Sequence, residues 1–238
     1  MIHTFIRNRV ENPDDYLVGF ADLKGLLPDA PFKSGIVIGR RLDAEVMDSI
    51  ELGPTRQYLD YYHKINAELS ELILEIKTHL ANQGYDSEVV EPTLNKKEAE
   101  DAEYLRTLRT PVSHKMLATR AGLGWIGKTD LFVSKKFGPR VRLVSLLTNY
   151  PVDITEKPID KSRCGKCAVC VVKCPAGAAS GQLWDIYTDR DEYYDARKCR
   201  EMCRKLSENL GDADAEICGI CVSVCPVGKK PAARGGKK

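Results

Sequence analysis

All nine cysteines of this 238-residue chain fall after residue 163. Cys164, Cys167, Cys170 and Cys174, followed at once by Pro175, spell C-x2-C-x2-C-x3-C-P, and a shortened copy closes the chain at Cys218, Cys221, Cys225 and Pro226. Thiolates are soft ligands, and three of them two residues apart can wrap one face of an iron–sulfur cubane. The cysteine three further on, turned away by its proline, reaches a neighbouring cluster instead. The spacing therefore predicts two [4Fe-4S] clusters, which together need eight thiolates.

The second motif is one ligand short, and Cys199 and Cys203, between the motifs, are the candidates to supply it. Crossing the ligands as two-cluster ferredoxins do assigns one cluster to Cys164, Cys167, Cys170 and Cys225 and the other to Cys174, Cys199, Cys218 and Cys221. Cys203 is then spare. Zinc is the competing chemistry, but a tetrahedral zinc site takes two C-x2-C pairs rather than three close cysteines and a C-P. A disulfide framework needs an oxidising compartment, and the opening MIHTFIRNRVENPDD has no apolar core that would make a signal peptide. With no stretch approaching the length of a membrane span, a cytoplasmic protein is expected.

A bare cluster module needs far less chain, and 43% hydrophobic content allows a real core. The expected division is a cofactor-binding, catalytic-type domain over 1–158, a two-cluster module over 159–228 and a disordered basic tail over 229–238. A formal charge of +2 gives no general pull toward nucleic acid. The last ten residues, KKPAARGGKK, nevertheless hold five basic groups and no acid, which suits either a solubilising end or an RNA phosphate contact.

The elements that must carry this chemistry alternate between strand-like and helix-like patterns, so a mixed α+β fold is expected. Ile36, Val37 and Ile38, between Gly35 and Gly39, read as a buried strand. From His63 onward, Ile65, Leu69, Leu72, Ile73, Ile76 and Leu80 recur at helical steps, with Gly84 where a stop belongs. Val89 and Val90 start another strand, 94–107 is helical in composition, and Pro111 opens a helix reaching about Ala121. Gly122, Leu123, Gly124, Trp125, Ile126, Gly127 and Lys128 follow, with three glycines that demand a tight turn or a close backbone approach to something bulky. The segment fits neither phosphate-loop fingerprint. Residues 131–134 and 141–148 read as two strands leading to the cysteines.

AGLGWIGK at 121–128, the strand ending LLTNYPV, the first cysteine motif, DARKC at 195–199 and the closing C-x2-C-x3-C-P occur in one order. In that order the chain resembles the epoxyqueuosine reductases, cobalamin-dependent two-cluster enzymes related to the reductive dehalogenases. The resemblance implies a nitroreductase- and cobalamin-processing-like domain followed by a bacterial ferredoxin-like module. It favours Cys199 over Cys203 as the missing ligand, places Gly122–Lys128 near the corrinoid, and makes the cluster with Cys174 and Cys199 its electron donor; Lys128 is expected to be solvated by default, with a cofactor carboxamide or phosphate as its alternative partner. It also implies electrons from a reduced ferredoxin or flavodoxin and reductive chemistry on an unidentified substrate. Two departures stand out. Where the family carries a catalytic aspartate three residues before the proline, this chain has Leu108, and a usual glutamate is replaced by His114. The family continues into a helical-repeat domain that helps hold transfer RNA, whereas this sequence stops about a dozen residues beyond the final C-P. With Leu108 in that place, the candidate proton donors are Tyr104, Arg109 and His114. The alternative is an electron-transfer protein that reduces the corrinoid of a partner without substrate chemistry of its own. A flavin in place of the corrinoid ranks last.

Overall fold

The computed structural model describes residues 2–27, 31–212 and 214–229. The tail expected to be disordered lies, from residue 230 onward, outside the described residues. In chain order the elements are α1 (Ile2–Arg9), a 3-10 turn (Pro13–Asp15), β1 (Tyr16–Asp22), β2 (Ser34–Arg41), α2 (Ala44–Asp48), α3 (Arg56–Ala81), β3 (Ser87–Val90), α4 (Lys96–Ala99), α5 (Ala102–Thr107) and α6 (His114–Arg120). There follow β4 (Gly124–Ile126), β5 (Phe132–Ser134), β6 (Val141–Thr148), α7 (Val169–Val172), α8 (Arg190–Tyr193), α9 (Ala196–Ser207) and α10 (Ile220–Ser223).

Four strands form an antiparallel sheet in the order β1-β2-β6-β3. Its two faces follow from the alternation of side chains along a strand. Ile36, Ile38, Val144 and Leu146 turn toward α1 and α3, while Val37, Leu143 and Leu147 turn toward α6. The apolar run at Ile36–Ile38 is buried on both faces, which is why it reads as continuous rather than alternating.

The long helix α3 begins seven residues before the His63 expected from the stripe, because Thr55 caps it by accepting from the Tyr58 N–H and Tyr58 and Leu59 extend the buried face. All six expected stripe residues are buried. Truncating Ile73, fully enclosed, is expected to cost about 3 kcal/mol. Gly84, at φ +82, follows the helix end as expected. The helical stretch 94–107 divides into α4 and α5, since Asp101 caps a new helix through its carboxylate. The helix expected to open at Pro111 starts instead at His114, where Ser113 accepts from the Met116 N–H.

The cysteine-bearing segment is tied to the sheet domain by specific polar contacts. Arg140, buried at 4% exposure, donates to Asp48 Oδ1 at 2.5 Å and to the Ser223 carbonyl at 2.9 Å. Tyr193 donates to Asp130 Oδ1 at 2.8 Å, and Arg109 to Asp189 at 2.6 Å. Ile217 joins the same apolar cluster as α3.

Candidate functional site

Between α3, the 88–115 segment and the cysteines lies a cavity of about 1140 Å³. Tyr58, Tyr61, Tyr62 and Ile65 of α3 form one wall, and residues 88–98 with Tyr104 form the rim. Cys174, Cys199, Cys203, Cys218 and Cys221 line the remaining side.

The thiols separate into two groups. Burial pushes Cys170 up, and the neighbouring Cys164 and Cys167 add to it. Burial likewise lifts Cys225 to about 11, with Cys170, Cys164 and Cys167 as its charged neighbours. These four are the set that the crossed spacing puts together. In the second group Cys199 Sγ lies 3.9 Å from Cys203 Sγ. Either sulfur can donate in that contact, and hydrogen bonding among these thiols lowers Cys199 and Cys218 while it raises Cys203. Burial raises Cys221, reinforced by Cys218 and Cys199. Cys203, expected to be spare, therefore sits among the second group one helical turn from Cys199. Thr129 joins the groups, since its hydroxyl is within hydrogen-bonding reach of Cys170 in one and Cys221 in the other.

The sequence candidates fall in different places. His114 lines the cavity, but both ring nitrogens are engaged: Nε2 contacts the Glu91 carbonyl at 2.9 Å and Nδ1 the Ser145 hydroxyl at 2.9 Å. A carbonyl only accepts, so Nε2 carries the hydrogen and Nδ1 accepts from Ser145. Enclosure of the ring, with the nearby Arg142 charge, depresses its pKa to about 4 and keeps it neutral. Tyr104 also lines the cavity, with the Arg200 guanidinium 5.7 Å from its ring centre. Arg109 lines it too, while its guanidinium is paired with Asp189 and Asp191. Leu108 does not line it; it caps α5 in the left-handed region at φ 51, and its carbonyl accepts from Arg190.

Gly122–Lys128, expected beside the corrinoid, has another neighbour and does not line the cavity. Gly124 pairs across the β4–β5 hairpin so closely that an added Cβ would lie 2.1 Å from the Val133 carbonyl oxygen, and Trp125 bonds to Cys164. The close neighbour of Gly124 and Gly127 is the other half of the hairpin, whereas Gly122, at φ +69, meets residues 156–157, where an added Cβ would lie 2.7 Å from both Glu156 Cβ and the Lys157 carbonyl oxygen. Lys128, at 6% exposure, is enclosed there rather than facing the cavity. The cavity contact comes one residue later, at Thr129.

Sequence reading passed over Tyr62 and Arg142. Arg142 donates to Asn66 Oδ1 at 2.6 Å and to Tyr62 Oη and the Pro92 carbonyl, each at 2.8 Å, with its guanidinium 4.3 Å from the Tyr62 ring centre. Burial alone would raise the Tyr62 phenol, but the Arg142 charge and three hydrogen bonds hold it below its usual value. The available signal was weak: Tyr62 precedes the apolar stripe, and Arg142 is the one charged residue of β6.

Residues 163–228 match the family described as a 4Fe-4S double cluster binding domain. An epoxyqueuosine reductase of Shewanella oneidensis is 28% identical over 180 residues, 71% of this chain. The chain spans 39% of that enzyme's length, 37% of that of a Cyclobacterium marinum relative 33% identical over 124 residues. Among solved structures, a catabolic reductive dehalogenase superposes with a TM-score of 0.66 at 17% identity, covering 90% of this chain and 30% of its own. An epoxyqueuosine reductase bound to an epoxyqueuosine-modified tRNA stem loop gives 0.58 at 18%, covering 95% of this chain and 64% of its own. The fold is thus the one these two groups of reductases share, an α+β domain followed by an iron–sulfur module. Within it, the chain is an epoxyqueuosine-reductase-like iron–sulfur protein.

Proposed function

We propose that the chain is an iron–sulfur reductase of this type, with one [4Fe-4S] cluster on Cys164, Cys167, Cys170 and Cys225, a second on Cys174, Cys199, Cys218 and Cys221, and a corrinoid in the cavity. The observation that carries the reading is the cavity itself, one side of which is lined by Cys174 and the second group's thiols. Its volume of about 1140 Å³ exceeds what a drug-sized ligand needs. The rings of the α3 tyrosines and Ile65 offer an aromatic and aliphatic wall for a macrocycle, and the backbone and polar side chains of the rim offer partners for its amides. When bound, a reduced corrinoid supplies a strong cobalt nucleophile for reductive chemistry.

The chain's own residues then have separate tasks. Arg142 and His114 brace the rim by bonding the Pro92 and Glu91 carbonyls. His114, neutral and bonded at both nitrogens, is a strut and not the proton source. Tyr62 faces the cavity with a phenol made more acidic by Arg142, which brings it closer to the pKa that proton transfer favours. It is the proton donor in this reading, and Tyr62→Phe is expected to slow turnover about 100-fold or more. Electrons reach the Cys164 group, whose Cys167 is exposed, from a reduced ferredoxin or flavodoxin in the cytoplasm.

A second reading is favoured by Leu108, which puts an apolar residue outside the cavity where the family carries an acid. In that reading the protein delivers electrons to the corrinoid of a partner. Anaerobic optical titration of iron–sulfur-reconstituted protein with cob(II)alamin separates the two. Saturable binding with conversion to a base-off spectrum is expected. An unchanged corrinoid spectrum beside intact cluster absorption would remove the corrinoid from this chain and leave the electron-transfer reading.

A further inference from the structure

The glycine-rich segment 122–128 is the sequence motif to which the proposed reaction gives no task. We propose that the hairpin it builds is the cradle of the Cys164 cluster, and that Trp125 is a positioning residue whose indole N–H sets that cluster's reduction potential. The inference rests on Cys164 being a cluster ligand.

Trp125 is 7% exposed and its Nε1–H donates to Cys164 Sγ at 3.5 Å. A buried indole N–H needs an acceptor, and no other is bonded to it among the described residues. A neutral thiol is a poor acceptor, whereas a thiolate is a strong, charge-assisted one. The contact therefore gains strength when Cys164 is deprotonated to bind iron. Arg163, with its guanidinium 6.0 Å from the Trp125 ring centre, adds positive charge beside the indole.

The hairpin fixes this donor. Trp125 pairs with Val133 between Gly124, which tolerates no Cβ, and Ile126, and packs with Val133 and Ile159. At Gly127 an added Cβ would meet Val133 Cγ2 at 3.0 Å and lie 3.8 Å from Cys164 Sγ, so the glycine keeps the backbone close to the ligand without filling its surroundings. Reduction of a cluster adds one electron, supplied by the carrier, and spreads negative charge onto its sulfurs without making or breaking a bond. A fixed N–H on one of those sulfurs stabilises the reduced form and raises the potential. A tryptophan serving only as core packing would change stability and leave the potential where it was.

Trp125→Phe keeps most of the buried surface and removes the N–H. Redox titration followed by electron paramagnetic resonance should show the cluster with the Cys164 ligand set shifted to a more negative midpoint, with the other midpoint in place and the iron content of wild type. Unchanged midpoints with both clusters assembled would overturn the proposal. If Trp125→Phe sheds the cluster, benzothienylalanine at position 125 in a Trp184→Phe background decides, since sulfur there replaces the N–H within the same bicyclic shape. The same negative shift supports the proposal, and a wild-type midpoint refutes it. Wild-type protein that takes up no [4Fe-4S] cluster would instead defeat the double-cluster reading on which the inference stands.

Discussion

Around Cys164, Cys167, Cys170 and Cys225 the chain leaves one thiol, Cys167, open to solvent and braces another against the β4–β5 hairpin. Cys199, Cys203, Cys218 and Cys221 line one side of the cavity, and in Cys203 the chain supplies one thiol more than the crossed assignment uses. The two groups of thiols thus have opposite surroundings, one with a thiol open to solvent and one lining the cavity. Thr129, in reach of Cys170 and Cys221, marks where the two meet. The difference gives the pair a direction, from the exposed thiol inward.

The largest effect on this contrast should come from removing a ligand of the cavity group. Cys221→Ala is expected to halve the iron bound per chain and to abolish electron delivery to a corrinoid, read by iron analysis and by the rate of cobalt reduction. Cys167→Ala should also halve the iron, yet leave the cavity group reducible by a small-molecule reductant. Identical behaviour of the two variants would erase the proposed direction.

The choice between Cys199 and Cys203 sharpens the same contrast. Cys199→Ser is expected to lose the cavity-side cluster, and Cys203→Ser to retain it with an altered paramagnetic spectrum, because Cys203 contacts Cys199 without being counted as a ligand. The reverse result would reassign the ligand. The order of the motifs made both cysteines legible as candidates, but one helical turn separates them, and spacing alone does not rank two thiols on one helix face.

Next comes a stability effect at the cavity rim. His114 has a folded pKa near 4 against 6.5 for the free side chain, because its ring is enclosed and carries no countercharge. The unfolded chain therefore binds the proton more readily between those values, so stability is full above about pH 6.5 and is lost as pH falls toward 4. The loss across that window is about 3 kcal/mol. Chemical denaturation at stepped pH should show this slope in wild type and a flatter one in His114→Gln. An equal slope in both would mean that the ring is solvated.

What the sequence carried and what it did not divide along physical lines. The α3 stripe and the β6 run are local patterns, and the structure follows them closely because a helix face or a strand must repeat its period to be buried. The cavity wall is not local. Tyr62, Arg142 and Thr129 come from a helix, a strand and a hairpin turn, and nothing in their own neighbourhoods marks them. The glycine-rich segment was legible as a close approach, but the partner could be named only from the fold, where the second strand of its own hairpin and Cys164 take the place expected for a corrinoid.

The smallest effect concerns the residue that departs most visibly from the family pattern. Two described residues other than glycine hold a positive φ, Asp130 at 57 and Leu108 at 51. Asp130 suits that region, since aspartate tolerates it, and its carboxylate is held by Lys115 and Tyr193. Leu108 has no such compensation: its side chain makes no polar bond, and only its backbone is anchored, by Tyr104 and Arg190. Leu108→Asn and Leu108→Asp are therefore expected to stabilise the fold by about 1 kcal/mol, visible as a raised thermal midpoint. The aspartate should add no turnover, because the position lies outside the cavity and the proton is assigned to Tyr62. If Leu108→Asp raised turnover while Tyr62→Phe left it unchanged, the 107–109 segment would have to swing toward the cavity, and the donor would be the family's own.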